Sequence, residues 1–341
     1  MDMKTVRRQA RERMGAACRV CPQCDGRACA GELPGMGGIR SGASFRANIT
    51  ALEQHRLKMR VIHDIPGVEH IDMACAVLGH ELAMPVLIAP LAGAKFNMGG
   101  ALSEERFAAV ITTGAKQAGI IACTGDGTDE GFHSGLAAVG AVGGWGIPVI
   151  KPWLGERFFE RVEQAARTGC KAVGMDIDTA AFSSLGKGKN PVGPRSREDL
   201  GAVVERIHGM GLKFLLKGVL SVEDAQAAAA CGCDAIVVSN HGGRALEALP
   251  GTAEVLPMVA REARQMEVLV DGGVRSGADV VKMLALGAKA VLVGRPAVIA
   301  AMGGEEEGMA VWLRQLRRQV TEALLLTGCA DVRDAGPHML V

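Results

Sequence analysis

The chain has 341 residues, with 46 glycines, no tyrosine, and 38 basic against 37 acidic side chains. A formal charge of +1 provides no field for steering toward nucleic acid or an anionic membrane, so neither partner is expected. Apolar residues make up 48%, enough for a large core, yet no run of about 18 residues escapes charges and chain breakers, which argues against a membrane span. The length suits two ordinary domains or a single α/β barrel.

The N-terminal stretch carries Lys4, Arg7, Arg8, Arg11 and Arg13 without an apolar h-region, so no secretory signal is expected. Residues 3–17 have Met3, Val6, Ala10, Met14 and Ala17 at helical spacing. A crowded set of cysteines follows, then a Gly/Pro-rich stretch over 31–42 that reads as irregular loop, and a second helical pattern over 45–58. The chain divides on this reading into an N-terminal basic helix and Cys-rich segment (1–40) and a main body with a C-terminal helix (41–341). Ten cysteines without an export signal point to a reducing, cytoplasmic setting. Cys75, Cys123, Cys170, Cys231, Cys233 and Cys329 sit mostly in apolar stretches and read as buried thiols.

From residue 86 onward short apolar runs alternate with helical patterns. The runs fall at 86–89, 119–123, 147–150, 172–175, 213–216, 235–238, 268–270 and 290–293, with helices such as 156–168, 221–230 and 277–286 between them. Eight strand–helix units with parallel, right-handed crossovers predict a (β/α)₈ TIM barrel carrying the N-terminal helical and Cys-rich extension. A last helix over 305–327 opens on three glutamates and stops before Gly328.

The strand exits carry the polar chemistry: Pro90 and Ala92, Thr124, Lys151, Asp176 with Asp178, Lys217, Ser239-Asn240-His241, Asp271-Gly272-Gly273 and Gly294-Arg295. C-terminal strand ends of a barrel converge on one face, where enzymes of this architecture keep their sites. Ordinary polar loops explain one or two such residues, but not lysine, paired aspartates, histidine and arginine at successive exits. The last two exits are glycine-rich turns with Arg275 and Arg295, in the position where barrels bind phosphate through backbone N–H groups and helix starts. A phosphorylated cofactor or substrate is expected there.

The segments Leu216-Lys217-Gly218-Val219, Ser239 to Arg244, Gly251 to Pro257 and Asp271 to Arg295 resemble the FMN-dependent 2-hydroxy acid oxidases and dehydrogenases, which include glycolate and lactate oxidases. The resemblance covers roughly residues 41–330. It implies FMN across the C-terminal face of the barrel, oxidation of a small 2-hydroxy acid, and a homo-oligomer. It makes His241 the base, Asp178 its charge-stabilising partner, Arg244 the clamp on the substrate carboxylate and Lys217 a neighbour of the flavin pyrimidine edge. Pro90, Ala92, Thr124, Lys151, Asp176, Ser239, Asp271 and Gly273 would also border the cofactor, with Arg275, Gly294 and Arg295 near its phosphate.

The chain departs from that family where two active-site tyrosines are usual. Ile39-Arg40-Ser41 stands near one position and Trp153 at the other, while Lys151 replaces a glutamine and Asp176 a threonine. Lys151 and Asp176 are expected to pair, and Trp153 to offer shape and an N–H donor. The loop over 180–197 is short for the family.

Cys18-x2-Cys21-x2-Cys24-x4-Cys29 resembles a ferredoxin-type run, with its fourth cysteine one residue late and no proline after it. An iron–sulfur cluster, a zinc ion and free thiols are the three readings. A cluster would pass electrons to an acceptor protein, making the chain a dehydrogenase. The competing functions are a non-oxidising flavin-dependent isomerase, similar to type 2 isopentenyl diphosphate isomerase, and a redox sensor built on flavin and cysteines.

Overall fold

The structure, a computed structural model, describes residues 1–181 and 191–341. Half of the loop expected over 180–197 thus lies outside the described residues.

Short runs of valine, isoleucine, leucine and alanine, buried on both faces, can only be strands with cover on each side. After the helices α1 (Met3–Met14) and α2 (Ala43–Gln54), the hairpin β1 (Cys75–Val77) and β2 (His80–Leu82) precedes them. The barrel then runs β3 (Val86–Leu91), α3 (Ala94–Asn97), α4 (Glu104–Gln117), β4 (Ile121–Thr124), α5 (Asp129–Ala141) and β5 (Gly146–Ile150). It continues with α6 (Glu156–Ala166), β6 (Ala172–Asp176), α7 (Arg197–Gly209), β7 (Lys213–Val219), α8 (Val222–Ala230) and β8 (Ala235–Val238). The last elements are α9 (Thr252–Glu262), β9 (Glu267–Val270), α10 (Gly277–Ala285), β10 (Ala290–Val293) and α11 (Arg295–Leu326). Strands β3 to β10 close in the order β10-β3-β4-β5-β6-β7-β8-β9, with every pairing parallel. Fold class and strand placement therefore agree with the sequence.

Two cores follow from this arrangement. The barrel interior packs Leu87, Ile121, Ile147, Leu215 and Leu269 together, and Val77, Leu78 and Leu82 of the hairpin close its floor. A larger layer lies between strands and helices. Serine or threonine caps α4, α5, α7, α8 and α10, each side chain accepting from a backbone N–H in the first turn.

Some boundaries differ from the sequence reading, for local reasons. The helix expected over 45–58 ends at Gln54, and the chain beyond it pairs elsewhere: Lys58 gives its N–H to Met339 of the C-terminal tail and Arg60 to Leu326 at the end of α11. The last helix reaches back to Arg295 and bends at Gly304–Glu305, close to where the glutamates promised a start. The N-terminal helix is joined to the body: Val6, Ala10 and Met14 are buried, and Val6 lies so close to Gly303 that a Cβ there would meet its carbonyl oxygen at 2.1 Å.

Candidate active site

The exit of β8 carries the histidine. Ser239 Oγ accepts the His241 N–H at 3.0 Å, and the His241 backbone turns left-handed, at φ +58°. That conformation costs a non-glycine residue about 1–3 kcal/mol and persists where surroundings enforce it. Here Asn240 enforces it: its side chain donates to Asn48 Oδ1 and Pro250 O and accepts the N–H of Gly243. The turn brings His241 Nδ1 to 3.0 Å from Asp178 Oδ1. Asp178 comes that close because Gly218, at the bulge in β7 and at φ +103°, has no side chain; a Cβ there would stand 2.5 Å from Asp178 Cβ. The pairing expected from sequence is thus placed by a glycine on a neighbouring strand.

Beneath the histidine lies a buried charge network. Asp176, at the end of β6, holds Lys151 Nζ at 3.0 Å on one oxygen and Lys217 Nζ at 3.0 Å on the other. Lys217 also lies 3.8 Å from Asp178 and 3.7 Å from Asp271. Burial alone would raise the Asp176 pKa, but the two ammonium groups outweigh it and hold the carboxyl well below its usual range. Burial likewise works against the Lys217 charge, and the three carboxylates overcome it and push its pKa up. Asp271 moves the other way, with burial raising it further than Lys217 lowers it.

The expected Lys151–Asp176 pair is therefore one arm of a bridge, and the two residues are not equivalent. Changing Lys151 to Gln leaves Asp176 paired with Lys217, whereas changing Asp176 to Thr removes the carboxylate that both lysines share. We expect Asp176→Thr to cost about 3–5 kcal/mol and Lys151→Gln clearly less. The double variant should recover about 0.5–3 kcal/mol of the sum. Urea denaturation of the four proteins reads this directly, and additive costs would remove the coupling.

Among the described residues, Asp176, Asp178 and His241 form the group whose ligand atoms lie close enough to hold a metal ion. The Lys217 ammonium already stands at 3.0 Å and 3.8 Å from its two carboxylates, supplying the positive charge an ion would bring.

The sequence places a phosphate end at the turns after β9 and β10. Gly273, Arg275 and Arg295 line a cavity of about 420 Å³ at the start of α11, a helix with no side-chain cap. Arg275 Nε and Nη2 are buried and have no hydrogen-bond partner among the described residues. Two orphaned cationic donors beside an uncapped helix start match the needs of a phosphate dianion, so the residues fit the phosphate end of FMN.

Arg295 and Arg244 have partners that the sequence did not disclose. Arg295 donates to Met36 O at 2.9 Å and Gly242 O at 3.1 Å, and its guanidinium lies 3.8 Å from the centre of the Phe45 ring. Arg244 donates to Gly35 O at 2.7 Å, Gly37 O at 3.0 Å and Asn97 Oδ1 at 3.2 Å. Ile39 N–H adds a bond to Gly243 O at 2.9 Å. The segment after the cysteines is in this way stitched across the histidine loop. Burial lowers the Arg244 pKa to about 10, and burial with the neighbouring Arg275 lowers that of Arg295 to about 9.

Trp153 corrects one expectation. Its Nε1–H is committed to Asp126 Oδ2 at 2.6 Å, and the same oxygen accepts the Lys151 backbone N–H at 3.1 Å. Arg161 completes the knot with a 2.8 Å bond to Asp126 Oδ1. Trp153 thus offers a fixed shape and no spare N–H. Asp126 and Arg161 were missed from sequence. Arg161 did leave a signal, since it occupies the face of α6 that Phe158, Val162 and Ala165 bury.

The remaining sequence candidates fall around this rim. Thr124 is buried at the end of β4, Pro90 and Ala92 are half-buried at the exit of β3, and Gly294 opens α11. Cys18, Cys21, Cys24 and Cys29 are half-buried and form no disulfide among the described residues, and Cys24 helps to line the cavity at the start of α11.

Comparison with known proteins agrees with this geometry. Residues 36–190 and 195–341 match the family described as FMN-dependent dehydrogenase. The 4-hydroxymandelate oxidase of Amycolatopsis orientalis is 33% identical, over 90% of this chain and 94% of its own length. An L-lactate oxidase of Lacticaseibacillus rhamnosus is 28% identical, over 87% and 86% of the two chains. Among solved structures, a mandelate oxidase mutant with an FMN adduct superposes with a TM-score of 0.76 at 29% identity, covering 98% of this chain and 97% of that one. No described helix is long and apolar enough to cross a membrane. A match over nearly the whole barrel, with the histidine loop and the phosphate turns inside it, makes the chain a member of the FMN-dependent dehydrogenase family.

Proposed function

We propose that this flavoenzyme oxidises a 2-hydroxy acid to the 2-oxo acid, with His241 as the base. The observation that carries the reading is the 3.0 Å contact between His241 Nδ1 and Asp178 Oδ1 on the barrel's C-terminal face. Donation of Nδ1–H to Asp178 makes Nε2 the basic nitrogen, and the buried carboxylate stabilises the imidazolium that forms when Nε2 takes a substrate proton. Arg244, three residues along the same loop, keeps Nε outside its bonds to Gly35, Gly37 and Asn97 and is the cation for the substrate carboxylate. Bound FMN would accept the electron pair, and Lys217 is the buried cation fit to stabilise the negative charge that acceptor gains. The relatives act on aromatic and small hydroxy acids by name, so a panel spanning lactate, glycolate and mandelates is the relevant set. Anaerobic titration of the holoenzyme should bleach the flavin spectrum with at least one of them. A flavin-loaded enzyme that none of them bleaches would point instead to the isomerase or sensor reading.

Arg275 supports the cofactor half of the proposal. Arg275→Ala should weaken FMN binding by about 1.5–3 kcal/mol, or roughly tenfold to over a hundredfold. Riboflavin, which lacks the phosphate, should bind wild type and variant alike in a fluorescence titration. An equal loss for both ligands would remove Arg275 from the phosphate site.

A further inference from the structure

The four N-terminal cysteines precede residue 36, where the family match begins, and nothing in the hydroxy acid chemistry above uses them. They lie in a segment without α-helix or strand, and all four are free. Its path is nonetheless well determined. Arg7 and Arg11, on α1, donate to the carbonyl oxygens of Cys21 and Val20 at 2.5 Å and 2.9 Å. Val20 is left-handed, at φ +46°, and its N–H approaches Cys18 Sγ at 3.5 Å. Gly37 passes so near Cys29 that a Cβ would meet its carbonyl oxygen at 2.1 Å.

The cysteine segment is held against the Arg295 end of the barrel: Cys24 and Arg295 line the same cavity, and Arg295 donates to Met36 O at 2.9 Å and Gly37 O at 3.4 Å, a few residues past Cys29. Cys18 and Cys29 are within electrostatic reach of each other, of Cys21 and Cys24, and of the Arg295 guanidinium. They are not gathered tightly enough to form the ligand set of a single ion. A tetrahedral zinc site needs all four sulfurs about 2.3 Å from one centre. A cubane spreads its four thiolates over the corners of a larger body, and three cysteines at two-residue intervals suit that larger body. The net negative charge of such a cluster would face the buried Arg295 guanidinium, with Arg7 and Arg11 of α1 holding the segment's other side.

We propose that Cys18, Cys21, Cys24 and Cys29 ligate a [4Fe–4S] cluster seated against Arg295, at the phosphate end of the barrel. The position gives the cluster a use, in a clause that rests on the function proposed above. Oxidation of a 2-hydroxy acid releases two electrons and two protons, and a cluster handles one electron at a time. The pair therefore leaves in two single steps through the cluster to an external one-electron carrier, while the protons pass to solvent.

The test starts with the whole chain, purified anaerobically and reconstituted with ferrous iron and sulfide. It should hold four iron and four acid-labile sulfide per chain, and dithionite should produce the electron paramagnetic resonance signal of a reduced cubane. Neither measurement needs substrate, so a negative hydroxy acid panel leaves this result readable. Stoichiometric zinc without sulfide overturns the proposal, and so does a chain that binds neither metal and titrates four free thiols. Cys24→Ser should lose the iron and the signal, and Cys231→Ser, on the far side of the barrel sequence, should keep both. If Cys24→Ser fails to fold, the wild-type iron and sulfide content alone decides.

Discussion

Replacing His241 with alanine is expected to slow anaerobic reduction of the bound flavin by about 10²–10⁴-fold, the usual contribution of a positioned general base. FMN content should not change, because the phosphate end proposed for the cofactor lies at the turns after β9 and β10. Asp178→Asn should lower the same rate by a smaller factor, since the amide still meets Nδ1 at 3.0 Å but cannot neutralise the imidazolium. The backbone provides a control. His241 sits at φ +58°, so His241→Gly should be no less stable than His241→Ala while equally slow. Stopped-flow bleaching with a saturating hydroxy acid checks all three variants. A reduction rate for His241→Ala within a few-fold of wild type would falsify the assignment of the base.

Much of that site was legible before any coordinates, because barrels concentrate chemistry at strand exits and buried parallel strands announce themselves as short apolar runs. Lys217, His241 and the two glycine-rich turns are singled out by that logic. What stayed hidden has a common physical cause. Arg244 and Arg295 are engaged by the carbonyls of Gly35, Met36 and Gly37, and a backbone carbonyl is the same in every residue. The knot of Asp126, Trp153 and Arg161 spans three separate elements, so no local spacing records it. The double use of Asp176 was missed because Lys151 and Lys217 lie on strands to either side of β6, and each pair read alone looks complete. The bend at Gly304–Glu305 was half visible: the glutamates marked a helix start that proved to be a restart.

Lys217 is where stability and chemistry meet, and its removal carries the second large effect. The side chain is 3% exposed and is shared by Asp176, Asp178 and Asp271. Lys217→Met keeps much of the volume and leaves three buried carboxylates with one cation, Lys151, among them. Breaking a buried ion pair by deleting one partner costs about 3–5 kcal/mol, so a loss of that order is expected at neutral pH. The sign with pH follows from the two shifts. In the wild type Asp176 is depressed, so its stabilisation is present above the ordinary carboxylate range and fades as pH falls through the folded pKa. Without Lys217 that depression shrinks and Asp271, already raised by burial, rises further, so the variant gains stability when its carboxyls take up protons. The gap between the proteins should therefore be widest at neutral pH and narrow as pH is lowered toward about 4. Urea unfolding across that range measures it, and a gap that is small or flat with pH would show that the carboxylates do not depend on this lysine. Lys217→Arg should restore only part of the loss, since a planar fork cannot occupy the point-like position the three carboxylates define.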